Sequence, residues 1–78
     1  MIRIFAVDLV RDHHTRSFRL DHIPGAGWIA KVWSDHESMQ QTHFTEWHRA
    51  ERTLRTFARE IAELTTQGWL RTDVAAAS

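Results

Sequence analysis

The side chains with the greatest chemical potential in this 78-residue chain are six histidines and a group of arginines. Histidine is a common ligand of zinc and nickel, but a structural metal site needs four converging ligands. His43 and His48 are five residues apart, which does not suit one helix face, and His13 and His14 fall in a predicted hairpin turn where adjacent side chains diverge. Because the chain also contains no cysteine, we predict neither a metal site nor a cofactor.

Ser34, Asp35 and His36 provide the three side-chain types of a hydrolase triad. Consecutive residues at the end of a strand point to alternate sides, whereas a nucleophile, its base and the orienting group must meet within hydrogen-bond reach. The sequence also has no glycine-rich loop that leads into a helix and no paired carboxylates in an apolar setting. We therefore predict no catalytic residue and a non-enzymatic protein.

Phosphate binding by arginine is the second chemistry that the sequence suggests. Four basic residues lie within about 60° of one another on a predicted helix, and we call them the basic ridge: His48, Arg52, Arg55 and Arg59. Arginine favours bidentate contacts with phosphate, and Trp33 is a candidate for base stacking. However, residues 45–67 hold four Arg and four Glu, so no net field attracts a polyanion. Nucleic-acid binding is therefore the alternative function.

The basic ridge belongs to a helix that apolar spacing predicts over residues 46–66. The apolar residues fall within a sector of about 120°, as in a helix packed on a sheet: Trp47, Ala50, Leu54, Phe57, Ala58, Ile61 and Leu64. Thr45 is the predicted N-cap, with Glu46 against the positive end of the helix dipole. Gly68 suits the left-handed position after the last turn, and Trp69 can fold back onto that turn.

The residues before the helix have the composition of strands. Residues 1–10, 18–21 and 28–33 are rich in β-branched and aromatic residues, and 39–44 is a candidate fourth strand. We predict an α+β fold: an antiparallel meander of three to four strands, then one long C-terminal helix packed on one face. Residues 1–73 form a single domain and 74–78 a mobile tail. The predicted sheet side of the core is Phe5, Val7, Leu9, Phe18, Leu20 and Val32.

One helix covers one face of such a sheet, yet the first and third strands offer apolar side chains to both faces. The residues left without obvious cover are the candidate interface: Ile2, Ile4, Ala6, Ile29 and Trp33. A curled sheet and the 34–41 loop are one possible cover, a ligand is another, and a second copy of the chain is the third. We predict a small interaction module that forms a homodimer through the sheet face or edge.

Charge and targeting signals narrow the class of protein. Ten Lys and Arg balance ten Asp and Glu, evenly between the two halves, so neither half is a basic tail. The segment after Met1 is interrupted by charged residues, unlike a secretory signal, and no apolar run approaches the length of a membrane span. We expect a cytoplasmic protein without a membrane partner.

About two-thirds of the chain resembles the WGR domain. The residues that carry this resemblance are Phe18, Leu20, Trp28, Val32, Trp33, Phe44, Ala50, Phe57, Gly68 and Trp69. It implies an antiparallel sheet followed by a helix, in a family whose members contact nucleic acid as parts of larger enzymes. Ser34 and Asp35 stand where that family has Gly and Arg, and an acidic side chain there would repel phosphate. The resemblance thus favours the topology more than the activity.

Overall fold

The fold is a five-stranded antiparallel sheet with one helix packed on one face. A computed structural model describes residues 1–35 and 37–72; His36 and the predicted tail at 74–78 lie outside these residues. The elements are β1 (Ile2–Arg11), β2 (His14–Ile23), β3 (Gly27–Ser34), β4 (Glu37–Phe44), α1 (Trp47–Thr66) and β5 (Leu70–Arg71). The strand order is β4-β3-β2-β1-β5. The predicted α+β meander with a C-terminal helix is confirmed, and the fourth strand is real; the fifth strand was not predicted.

Two tight turns set the register of the first three strands. Asp12 and His13 both have positive φ, 49° and 71°, as in the two-residue turn that matches strand twist. His14 already pairs with Arg11 in the sheet, so its predicted place in the turn is wrong. The second turn closes through the amide of Ala26, which donates to the Ile23 carbonyl at 2.8 Å.

Gly27 allows β4 and β3 to approach closely at the end of the second turn. Its φ is 98°, and a Cβ at this position would overlap the carbonyl oxygen of Phe44 and lie 3.2 Å from Thr45 Cα. Glycine is therefore required here both for its backbone conformation and for its lack of a side chain. The contact fixes the point at which β4 ends and the chain turns into α1.

The core lies between α1 and the face of the sheet that α1 covers. Phe57 is at its centre, 6.0 Å from the Phe5 ring and 5.2 Å, edge on, from the Phe18 ring. The buried apolar residues are Val7, Leu9, Phe18, Leu20, Ala30, Ala50, Phe57, Ile61 and Leu64. The predicted sheet side of the core is confirmed, with Phe5 and Val32 partly buried at its margin.

The buried side of α1 is narrower than the predicted apolar stripe. Its four buried residues, Ala50, Phe57, Ile61 and Leu64, span a sector of only about 60°. Trp47 is 43% exposed because it is the first helical residue, where its ring contacts Trp28 at 5.6 Å. Ala58 is exposed because it lies on the side of α1 that faces an open cavity beside β1. Their predicted burial is wrong.

The two ends of α1 are closed by the backbone. Glu46, not Thr45, is the N-cap: its backbone is extended, its carbonyl accepts from Arg49 and Ala50, and no side chain caps the helix. At the other end Gly68 has φ of 100°, and the Trp69 amide donates to the Leu64 carbonyl at 3.0 Å. The predicted glycine closure is confirmed. It returns the chain to the sheet, where β5 pairs with the end of β1.

Candidate interaction surfaces

The face of the sheet opposite α1, here called the open face, carries three of the five predicted interface residues. Strand pairing places its residues in three cross-strand rows: Arg3–Asp21–Ile29–His43, Ala6–Arg19–Lys31–Gln41 and Asp8–Ser17–Trp33. Ile2 is 55% exposed, but it pairs with His22 on the face of the sheet that α1 covers and so does not belong to the open face. Ile4, 40% exposed, sits at a register shift in β1. The five predicted residues therefore do not form one continuous patch.

Arg19 is the centre of a charged cluster on the open face. Its Nη2 forms an ion pair with Asp8 Oδ1 at 2.8 Å. Its Nη1 donates to the carbonyls of Val7 and Phe18 at 3.2 and 2.9 Å. The guanidinium also stacks 5.2 Å from the centre of the Trp33 ring. The Arg19 side chain, only 14% exposed, thus occupies surface that an apolar partner face would need.

Asp21 is the second charged group of the open face, and it is fully buried. Arg3 Nε donates to Asp21 Oδ1 at 3.1 Å, and Oδ2 has no hydrogen-bond partner among the described residues. Arg3 itself is half exposed. A carboxylate that is out of water is stable only when it is paired, so this row needs Arg3 in place.

The two outer edges of the sheet differ in how they are protected. The β1 edge has an arginine near its start, a register shift between Arg3 and Phe5, and β5 across Leu9 and Val10. The β4 edge shares only the register shift, which lies near its start, where Val32 pairs with Gln40 and Ser34 with Glu37. Its eight residues include no Lys, Arg or Pro, and no described element pairs with its outer side. Its pairing with β3 is regular from Gln40 to Phe44.

The basic ridge is exposed as predicted, but its members differ in their partners. His48 Nδ1 lies 3.4 Å from a Glu46 carboxylate oxygen, and Arg55 lies 3.9 Å from Glu51, the expected i,i+4 pair. Arg52 and Arg59 have no ion pair within residues 1–35 and 37–72. The helix therefore presents a mixture of paired and unpaired cations rather than a uniform basic strip.

A groove runs along one side of α1, first beside β4 and then beside Arg16 of β2, and we call it the α1–β4 groove. It consists of three adjoining cavities of about 330, 250 and 360 Å³. The first is lined by Phe44, His48, Arg49, Arg52 and Thr53; the second includes Gln40, Thr42, Thr53, Phe57 and Glu60; the third is lined by Arg16, Glu60, Glu63, Leu64 and Gln67. The groove is therefore basic at one end and mainly acidic at the other.

The sequence interpretation missed Arg49. Arg49 and Arg52 are three residues apart and so share one side of α1, a signal that is present in the sequence. Which side of the helix faces β4 depends on how α1 lies on the sheet, and the spacing alone does not define this. Arg49 lies in the groove, whereas Arg55 and Arg59 do not line it.

Asp35 has a structural role at the tip of the β3–β4 hairpin. Its Oδ1 accepts the Thr15 amide at 3.3 Å, and its Oδ2 lies 3.4 Å from His14 Nδ1. These contacts tie the hairpin to the start of β2. Both contacts join Asp35 to residues of β2.

Two further features, a metal site and a membrane-spanning helix, are missing from the described part of the chain. No group of three or more His, Asp or Glu side chains there is placed to hold a metal ion. No helix in residues 1–35 and 37–72 combines the length and the hydropathy needed to cross a membrane.

Comparisons with known proteins identify no relative. The chain matches no protein-family model, no curated protein and no solved structure. The resemblance to the WGR domain therefore stays a prediction.

Proposed function

We propose that the chain is a non-enzymatic interaction module that forms a homodimer through the outer edge of β4. The observation that carries the proposal is the outer edge of β4. It has no described neighbour, no Lys, Arg or Pro, exposed residues from Ser38 to His43, and regular pairing with β3 from Gln40 to Phe44. Unpaired amides and carbonyls along such an edge are a template for another strand. A second copy of β4 has the same length as this edge, and it is available wherever the chain itself is present.

The open face is the less favourable route to a dimer. Packing two open faces together would remove the Arg19–Asp8 and Arg3–Asp21 pairs from the water that still reaches them. Desolvation of ion pairs costs free energy that their mutual attraction often fails to offset. Edge pairing instead gives hydrogen-bond partners to the outward amides and carbonyls of β4, and it leaves the ion pairs of the open face in contact with water.

The expected dimer is modest in affinity. A net gain of about 0.5–1.5 kcal/mol for each backbone hydrogen bond is set against an association cost of about 4–15 kcal/mol. About eight such bonds give at most about 12 kcal/mol, so the net gain is at most about 8 kcal/mol and the tightest expected dissociation constant is micromolar. The mass must therefore be measured from micromolar to millimolar protein concentration.

The test is sedimentation equilibrium of the wild type and two charge-matched variants. Gln40→Lys/Gln41→Lys places two cations on the β4 edge, where they face their own copies across the twofold axis, and is expected to give a monomer. Ala58→Lys/Ala62→Lys adds the same charge beside β1, and is expected to remain a dimer. A monomeric wild type, or a dimer broken only by the second variant, would contradict the proposal.

A second candidate function, nucleic-acid binding, is favoured by one observation. Arg49 and Arg52 border one cavity with His48 and have no ion pair within the described residues. Ionic contacts to phosphate weaken by about 0.9 log units per contact for each tenfold rise in salt, whereas backbone pairing barely responds. Retention of a DNA duplex at low salt that is lost at high salt, and lost in Arg49→Gln/Arg52→Gln but not in Arg59→Gln, would support this function.

A further inference from the structure

We infer that the two helices of the dimer lie on the same face of one joined sheet, with the basic end of each α1–β4 groove facing the acidic end of the other. This inference rests on the proposed β4 homodimer and specifies its geometry. The occupant of the groove's open side is therefore a second copy of this chain.

The charges on the groove side of α1 are separated by position along the helix. Arg49 and Arg52 line its first half, and Glu60 and Glu63 line its second half, where the floor of the groove also carries Arg16 of β2. All four lie within about 80° of one another around the helix axis, so they face the same way. None of the four forms an ion pair within the part of the chain that the structure describes.

The direction of α1 along β4 follows from the residues that share each cavity. Phe44 lies with Arg49 and Arg52, whereas Gln40 and Thr42 lie in the cavity that reaches Glu60. The helix therefore runs back along β4 from its end toward its start. Two β4 strands that pair antiparallel place the end of one beside the start of the other.

This arrangement brings opposite charges together twice. Antiparallel pairing of two β4 strands in one sheet requires a twofold axis perpendicular to the sheet, so both helices lie on one face and run antiparallel. Arg49 and Arg52 of one copy then face Glu60 and Glu63 of the second copy, and the reverse pair forms across the axis. A twofold axis in the plane of the sheet would instead pair the two β4 strands in parallel and place the helices on opposite faces, with the sheet between the charges.

The spacing across the joined sheet suits these contacts. The helix packs mainly against β3, and three strand spacings separate the two β3 strands, which is about 14 Å. Two helix backbones of about 2.3 Å radius leave a gap of roughly 10 Å. An arginine and a glutamate side chain together span such a gap, whereas direct packing of the helices would need an axis separation of about 8–10 Å.

The test uses charge reversal in two complementary variants. Arg49→Glu/Arg52→Glu makes both ends of the groove acidic, and Glu60→Arg/Glu63→Arg makes both ends cationic. Each variant alone is expected to weaken the dimer about tenfold, because like charges replace four attractive contacts. An equimolar mixture is expected to form a heterodimer at least as tight as the wild-type dimer, and the four-residue swap is expected to restore wild-type affinity. Sedimentation equilibrium and native mass spectrometry of the mixture measure these states.

The outcomes separate this inference from the proposed function. A monomeric wild type would contradict the homodimer itself. A dimeric wild type whose charge-reversed variants associate equally well, with no preference for the heterodimer, would overturn the same-face geometry and leave the β4 homodimer intact. Helical circular dichroism checks the folding of each variant. A variant that does not fold is replaced by the corresponding Gln pair, for which a severalfold loss of affinity is expected and an unchanged affinity would overturn the inference.

Discussion

Substitution of Gly27 by alanine tests whether the close approach of β3 to the end of β4 holds the candidate edge in place. Positive φ costs an alanine about 1–2 kcal/mol relative to glycine. The new Cβ would also overlap the Phe44 carbonyl, and forcing an extra carbon into a filled space adds about 1–3 kcal/mol. The expected loss is about 3 kcal/mol, from a total stability of about 4–12 kcal/mol for 78 residues.

Gly25 provides the matched control for this prediction. It has φ of 83°, yet nothing lies within 4 Å of the position that a Cβ would take. Gly25→Ala therefore carries only the backbone cost, about 1 kcal/mol, which lowers Tm by about 4–8 °C. Gly27→Ala is expected to lower Tm by at least about 12 °C or to prevent folding.

Thermal and urea unfolding, followed by tryptophan fluorescence and helical circular dichroism, measure both variants. Equal losses for Gly25→Ala and Gly27→Ala would show that the approach to Phe44 is not tight, and the reasoning from the missing side chain would fail. If Gly27→Ala folds, the displaced end of β4 is also expected to weaken the homodimer, while Gly25→Ala leaves its affinity unchanged.

Two further predictions concern the core and the first turn. Phe57→Ala removes the ring between Phe5 and Phe18 and is expected to lower the free energy of unfolding by about 3–5 kcal/mol. Ala58→Ser, at the exposed neighbouring position, is the control and should change it by about 0.5 kcal/mol or less. Urea unfolding compares the two variants, and equal effects would contradict the observed burial of Phe57. His13→Gly creates an Asp-Gly pair, which suits a turn with two positive φ angles. It is expected to stabilise the fold by up to about 1 kcal/mol. A lower Tm for this variant would contradict the turn geometry.

Local pattern was sufficient to predict most of the architecture. The apolar repeat from Ala50 to Leu64 has the helical period, and Gly68 marks its end, so α1 was predicted to within one residue. Alternation of apolar and polar residues around Phe18 and Leu20 predicted which side of β2 meets the helix. Elements with such one-sided apolar patterns are the ones that periodicity detects best.

The structural features that were not predicted have no pattern in the local sequence. β5 has only two residues, and its pairing depends on the turn at Gly68 directing the chain toward Leu9 and Val10. The turn at Asp12 and His13 contains no glycine, so nothing in its composition shows that both residues have positive φ. Capping likewise follows the backbone of Glu46 rather than the preference of Thr45 for that position.

The candidate site depends on tertiary arrangement, and this is why the sequence revealed only part of it. β4 is polar along its length and has the weakest strand pattern of the four long strands, and its place at the edge follows from the strand order. Arg52 was identified from helical spacing, but its relation to Arg49, Glu60 and Glu63 requires the direction of α1 over β4.

The buried carboxylate of Asp21 has a consequence for how the first hairpin finds its partner. If β2 slipped by one residue against β1, Asp21 and Arg19 would turn inward beneath Phe57, where only hydrocarbon surrounds them. Phe18 and Leu20 would at the same time turn out into water. A misaligned hairpin is thus rejected when the helix docks on it, and Asp21, which contributes little to stability, helps to specify the strand register.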